Sequence, residues 1–375
     1  MVTRTIAPPL PVAEMIDRVE GQTGGRVTQV ARPADADESW RMAFTDPSGE
    51  ARMAFVRPDA GLVLGTAPAG GPLEIVKHLH SLAVAGPIGN VVVEIAAGWA
   101  IVLVLTGFYL WWPRAGGRAL SLAGRVGERR FWRNLHASVG ALAGAIILFL
   151  AVTGMPWTIF WGANFHAFVA AQKIGTPPLP ARPHGDHEEH LPWALQGATP
   201  PDASAHDGIG PDRAVAVASA RGLAPPFVLD LPAAPGRPYR LSAAADRTDR
   251  VRVIQIDPGD GAVLQDLRFA DLGVGARAFQ WGIYTHQGQQ FGEANRLVML
   301  GGCIGLLLLA LSAPVMWWKR RLRAPPRPDD PARGRGLVAI LLGVGLLFPL
   351  TGATMLAALL AGAARRSLSR AAAAG

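Results

Sequence analysis

The chain has 375 residues, with 36 Lys or Arg against 28 Asp or Glu, a net charge of +8. Its single cysteine, Cys303, excludes an internal disulfide. The positive charge is concentrated in two short loops rather than laid out as a nucleic-acid footprint, and no phosphate-cradling loop, nucleotide fingerprint or hydrolase motif occurs.

The first fifteen residues, MVTRTIAPPLPVAEM, lack the apolar segment of a cleavable signal peptide. Residues 12–20, VAEMIDRVE, have the apolar spacing of a short amphipathic helix. WRMAFTD at 40–46 and EARMAFV at 50–56 read as strands joined by a Pro47-Ser48-Gly49 turn, and RPDAG at 57–61 makes the next turn. Residues 1–70 are therefore expected to form an α+β domain, followed at 71–112 by a pre-span segment and the first apolar run, Val91–Leu110. A basic loop occupies 113–136, and the second run, Val139–Phe160, lies within 137–161. Residues 162–210 form a linker rich in Pro and His. The second α+β domain is expected over 211–275, with VRVIQIDPGDGAVLQ at 251–265 as strand–turn–strand. A pre-span segment and the third run, Leu297–Trp318, fill 276–318. A second basic loop at 319–336 leads to the fourth run, Leu337–Leu360 within 337–361, and a tail at 362–375.

Each run is long enough to cross a bilayer, which takes about 20 helical residues for about 30 Å of hydrocarbon. The expected fold class is thus a bundle of four transmembrane helices carrying two α+β domains. Tyr109, Trp111, Trp112, Trp317 and Trp318 mark where runs one and three leave the bilayer. The loop from Pro113 to Leu135 holds six arginines and one acid, and that from Lys319 to Arg335 holds seven basic residues and two acids. Positive charge in short loops places both in the cytoplasm. Residues 1–90 and about 162–290 then lie outside, in the periplasm of a Gram-negative cell, as does the C-terminus, against which Arg365, Arg366 and Arg370 argue.

The chain repeats itself. At an offset of 206, His80 matches His286, Gly86 matches Gly292, Trp111-Trp112 match Trp317-Trp318, and Arg114 matches Arg320. At an offset of 200, Pro11 matches Pro211, Arg52 matches Arg252, Pro58 matches Pro258, and Gly61 matches Gly261. Each unit is an outer domain, a histidine, a span and a basic exit.

With KHLHSLAVAGPIG, VEIAAGWAIVLVLTGFYLWWPR, FWRNLHASVGALAG, LAVTGMPWTIFWG, YTHQGQQFGEANRLVML, MWWKRR and LLFPLTGATML, nearly the whole chain resembles the PepSY-associated transmembrane proteins. That family includes inner-membrane ferric-siderophore reductases. The resemblance implies extracytoplasmic PepSY domains on a helical bundle and, for the reductases, b-type haem held by histidines.

His80 and His286 hold equivalent places before outward-facing span starts, which suits paired haem ligation; the competing reading is two interfacial histidines that cap helices or bind headgroups. His136, at the cytoplasmic start of span two, and His166, beyond its outer end, are further candidate ligands. His78 is two residues from His80, so at most one of them faces a given cofactor. His184, His187 and His190, in HGDHEEH, read as a solvated acidic loop in preference to a metal site. Glu94, ionisable within a span, is a candidate for an ion or proton path.

The function expected is a b-haem oxidoreductase of the inner membrane. It passes electrons from an unidentified cytoplasmic or membrane donor to an extracytoplasmic ferric-siderophore or similar acceptor, with membrane lipid as its solvent. The alternative is a non-enzymatic membrane protein whose PepSY domains bind a peptide, a protease or a metal. Family members usually begin with a further helix carrying a histidine near its cytoplasmic end, whereas this sequence starts directly in the α+β domain. The expectation is that the true start lies upstream or that the chain holds at most the outer haem.

Overall fold

The computed structural model describes residues 7–112, 120–172, 202–319 and 331–374. It separates into two compact units. One comprises Met1–Val76 with Gln172–Tyr284, and the other Lys77–Ala171 with Thr285–Gly375.

The first unit is built on an antiparallel sheet. Helix α1 (Val12–Thr23) buries Val12, Met15, Ile16 and Val19 along one face, the i, i+3, i+4, i+7 stripe of an amphipathic helix. It stops at Gly24, whose φ of 67° is left-handed and whose N–H closes onto Glu20 O. Strands β1 (Arg26–Arg32), β2 (Trp40–Thr45), β3 (Ala51–Arg57) and β4 (Leu62–Pro68) follow as a meander. Helix α2 (Gly71–His80) then leads to the apolar helices α3 (Gly86–Trp111) and α4 (Arg129–Gly154) and the short α5 (Trp161–Ala171). The order then recurs: α6 (Gly210–Ala220), β5 (Phe227–Asp230), β6 (Tyr239–Ala243), β7 (Arg252–Ile256), β8 (Val263–Arg268).

The eight strands make one sheet, ordered β4-β3-β2-β1-β5-β6-β7-β8. Each half would expose β1 or β5 as an unpaired edge; pairing the two removes both edges. Gln29 faces Asp230 and Val30 faces Leu229 across this seam. Gln29 Nε2 donates to Asp230 Oδ1 at 2.6 Å, and Arg240 Nε donates to Asp230 Oδ2 at 2.9 Å. The helices meet as well: Asp212 of α6 accepts from the N–H groups of Val12 at 2.6 Å and Ala13 at 3.0 Å. Pro11 has no capping side chain, so the cap of α1 comes from the other half. One core, including Met15, Met42, Phe227, Leu229, Tyr239 and Ile254, runs under both halves.

The second unit is helical. Among the described residues, three helices are long and apolar enough to cross a membrane: Ala83–Trp111, Arg129–Trp157 and Gly292–Trp318. They correspond to α3, α4 and α8 (Gly292–Trp318), the last following α7 (Val274–His286). Small residues let them approach closely. A Cβ on Gly305 would stand 2.4 Å from that of Ala143, and one on Gly98 would stand 1.8 Å from Thr351 Oγ1.

The fourth apolar run is not one straight helix. It forms α9 (Pro331–Leu347) and α10 (Pro349–Ala374), and its continuous apolar stretch, Gly334–Leu347, is shorter than the other three. Pro349 lacks an N–H and crowds the preceding turn, so the helix breaks there.

Candidate functional site

The helical unit pairs histidines with hydroxyls across helices. His136 lies about two turns into α4, and its Nδ1 is 2.8 Å from Ser312 Oγ on α8. At the opposite end of α4, Thr153 Oγ1 is 2.7 Å from Nδ1 of His286, the last residue of α7. Thr153 is seventeen residues beyond His136 on one helix, which spaces the two pairs by about 26 Å. Both hydroxyls also reach back along their own helices: Thr153 to Phe149 O at 2.6 Å, Ser312 to Leu309 O at 3.1 Å.

His286 is half-buried and has no protein partner for Nε2 among the described residues. Gly154 adjoins its ring, a Cβ there standing 3.7 Å from Cε1, so the absent side chain leaves room beside the imidazole. Burial, and then the nearby His80 imidazole, hold His286 below the usual histidine pKa. His80 and His286 are thus close enough to interact electrostatically. His80 itself is exposed at the end of α2.

Glu94 is 1 % exposed within α3. Its carboxylate accepts from Phe160 N at 2.9 Å and Trp161 N at 3.1 Å, at the start of α5. A negative charge there meets unpaired N–H groups and the positive end of a helix, which meets much of its burial cost. His166, on α5, puts its Nε2 3.0 Å from Pro156 O, so that nitrogen is the donor to a carbonyl. His184, His187 and His190 lie outside the described residues. Among those described, no cluster of three or more His, Cys, Asp or Glu is arranged to hold a metal ion.

The sheet unit has its own cavity, of about 380 Å³, lined by Asp17, Arg26, His206, Asp207, Arg237 and Tyr239 among others. Tyr239 donates its hydroxyl to Asp207. Burial and that carboxylate push the phenol well above its ordinary pKa. Neither this cavity nor Ser312 was marked by the sequence. The one hint of Thr153 was the Thr-Gly pair at Thr153-Gly154, which recurs at Thr351-Gly352.

A family model described as the PepSY-associated TM region matches residues 3–320. No curated protein matches the chain.

Proposed function

Because this chain belongs to the PepSY-associated TM family, we propose that it is a b-haem oxidoreductase of the bacterial inner membrane. Its two halves arose by duplication, its sheet unit faces outward, and a fourth membrane segment, α9 with α10, completes the bundle. The acceptor is an extracytoplasmic Fe(III) chelate of the ferric-siderophore class.

One observation carries the reading. Imidazoles sit near both ends of the α4–α8 pair, each anchored at Nδ1 and each with no hydrogen-bond partner for Nε2 among the described residues. The donor set fits haem iron, for which imidazole is the usual ligand from membrane helices. His80 and His286 would hold the outer haem, and His136 would supply a ligand at the inner end. Bound there, haem supplies reversible one-electron chemistry. The chain's own work is to fix each imidazole, keep water from the bundle with its apolar helices, and so tune the potential. Glu94 caps α5 and thereby holds Phe160 and Trp161 in place near the outer end of α4.

The reading is tested by reducing membranes that contain the overproduced chain and then adding an Fe(III) chelate. Prompt reoxidation of a b-type spectrum is expected. A haem signal that the chelate leaves reduced would remove iron as the acceptor.

The sheet-unit cavity favours a second reading, in which the PepSY domains serve as a binding module for a peptide, a protease or a metal. Its mixed lining of Arg26, Arg237, Asp17 and Asp207 suits a ligand bearing both charges.

A further inference from the structure

A hydroxyl owns one proton, and a neutral imidazole owns one N–H. These two limits fix the hydrogens around His286. The Thr153 proton lies in the 2.6 Å contact to Phe149 O, an acceptor that can only receive. The Thr153 oxygen, 2.7 Å from Nδ1 of His286, therefore accepts, and Nδ1 must carry the ring proton. Nε2 is left as a bare lone pair. The opposite arrangement, with Thr153 donating to Nδ1, would leave the Phe149 contact at 2.6 Å without a hydrogen and put the ring proton on Nε2. A metal cannot bind a nitrogen that holds a proton, so the two arrangements differ in function as well as in geometry.

The other end of the pair repeats the device. Ser312, 1 % exposed, reaches Leu309 O at 3.1 Å and stands 2.8 Å from Nδ1 of His136. The chain of contacts runs backbone carbonyl, hydroxyl, Nδ1 in both places, with the hydroxyl on one helix and the imidazole supplied from another element.

We propose that Thr153 and Ser312 are positioning residues. Each relays a backbone carbonyl of its own helix to the Nδ1–H of a histidine, and so presents Nε2 as a ligand-ready lone pair. Thr153 acts on His286 and Ser312 on His136. The tautomer assignment stands on the geometry alone, while its purpose, ligation of iron, rests on the reading under Proposed function. A hydrogen bond from Nδ1–H also makes Nε2 a stronger electron donor, which stabilises the oxidised metal.

The test uses the full chain in detergent, prepared without haem and labelled with ¹⁵N-histidine. The His286 resonance is assigned by its loss in His286→Ala, and Thr153→Val and Thr153→Ser are compared with the parent. The parent and Thr153→Ser are expected to show the Nδ1–H form, and Thr153→Val a shift towards Nε2–H. Valine keeps the shape of threonine without the hydroxyl, and serine keeps the hydroxyl, so rescue by serine separates the relay from packing. An Nε2–H parent, or a tautomer indifferent to Thr153→Val, would overturn the proposal. Adding haem to the same samples tests the function separately. If haem binds, Thr153→Val is expected to raise its midpoint potential and Thr153→Ser to restore it, and a potential unmoved by valine counts against the relay. If the tautomers behave as stated but no variant binds haem, the relay stands and the haem reading falls.

Discussion

Gly345 and Gly352 touch although seven residues separate them: a Cβ on Gly345 would lie 3.3 Å from the Gly352 Cα. In a straight helix those residues stand about 10 Å apart. Met355 Sδ comes within 3.7 Å of the same point, so α10 turns back towards α9 beyond Pro349. Only two glycines allow backbones so close.

This bend leads to a prediction about the side on which the chain ends. The apolar part of α10 ends at Arg365 and Arg366, which favour the cytoplasmic surface. A segment that enters, bends and returns puts them there; a straight span would carry them outside. A reporter active only outside the cytoplasm is expected to work at Gly236 and to be silent both at Gly124 and after Ser369. Activity after Ser369 would show that the bent segment crosses.

The contact between α4 and α8 sets the His136–Ser312 pair. Gly305→Val places methyl groups where Ala143 stands and is expected to cost roughly 1–3 kcal/mol by overpacking. Thermal unfolding in detergent measures this. Gly305→Ala combined with Ala143→Gly should recover more stability than the single changes predict, since the two sites share one contact. Additive effects would place the cost elsewhere.

Gly154 offers a more local probe. Gly154→Leu fills the space beside His286 Cε1 and is expected to lower haem content at the outer site while helix content by circular dichroism is unchanged. Full haem content in this variant would show that the ligand approaches His286 from another side.

In the sheet unit, Arg252 grips Asp266 with Nε on Oδ1 at 2.9 Å and Nη2 on Oδ2 at 2.7 Å. Hydrogen bonding to Arg252 is the chief cause holding the Asp266 carboxyl below its ordinary pKa. A carboxylate depressed on folding adds stability above its unfolded pKa, and that addition is lost as pH falls through the folded value. Asp266→Asn should therefore destabilise the chain by about 1–2 kcal/mol at pH 7. The difference from the parent should shrink only as pH falls below about 4. A difference constant from pH 7 to 3 would refute the pairing.

Much of this fold is written locally. The apolar stripe at Val12, Met15, Ile16 and Val19 and the alternation through Trp40, Met42 and Phe44 identify α1 and β2 without knowledge of their neighbours. Strand β5 escapes such a reading, because FVLD is four residues long and lies between Pro225-Pro226 and Pro232. It is a strand because β1 and β6 flank it. Pro349 marks the break in the fourth run, but the bend beyond it depends on Gly345 meeting Gly352, a tertiary contact. The histidines stand out by residue type and by the repeat. Their partners do not, since Thr153 and Ser312 are 133 and 176 residues from His286 and His136 and sit unremarkably inside apolar helices.

The most direct test of the account is the reduced-minus-oxidised absorbance spectrum of the purified full chain, with haem supplied during expression and quantified per chain. A reducible b-type spectrum is expected, diminished or shifted by His286→Ala and by His80→Ala but unaffected by His184→Ala. A colourless chain, or a b-type spectrum indifferent to both His286→Ala and His80→Ala, would contradict it.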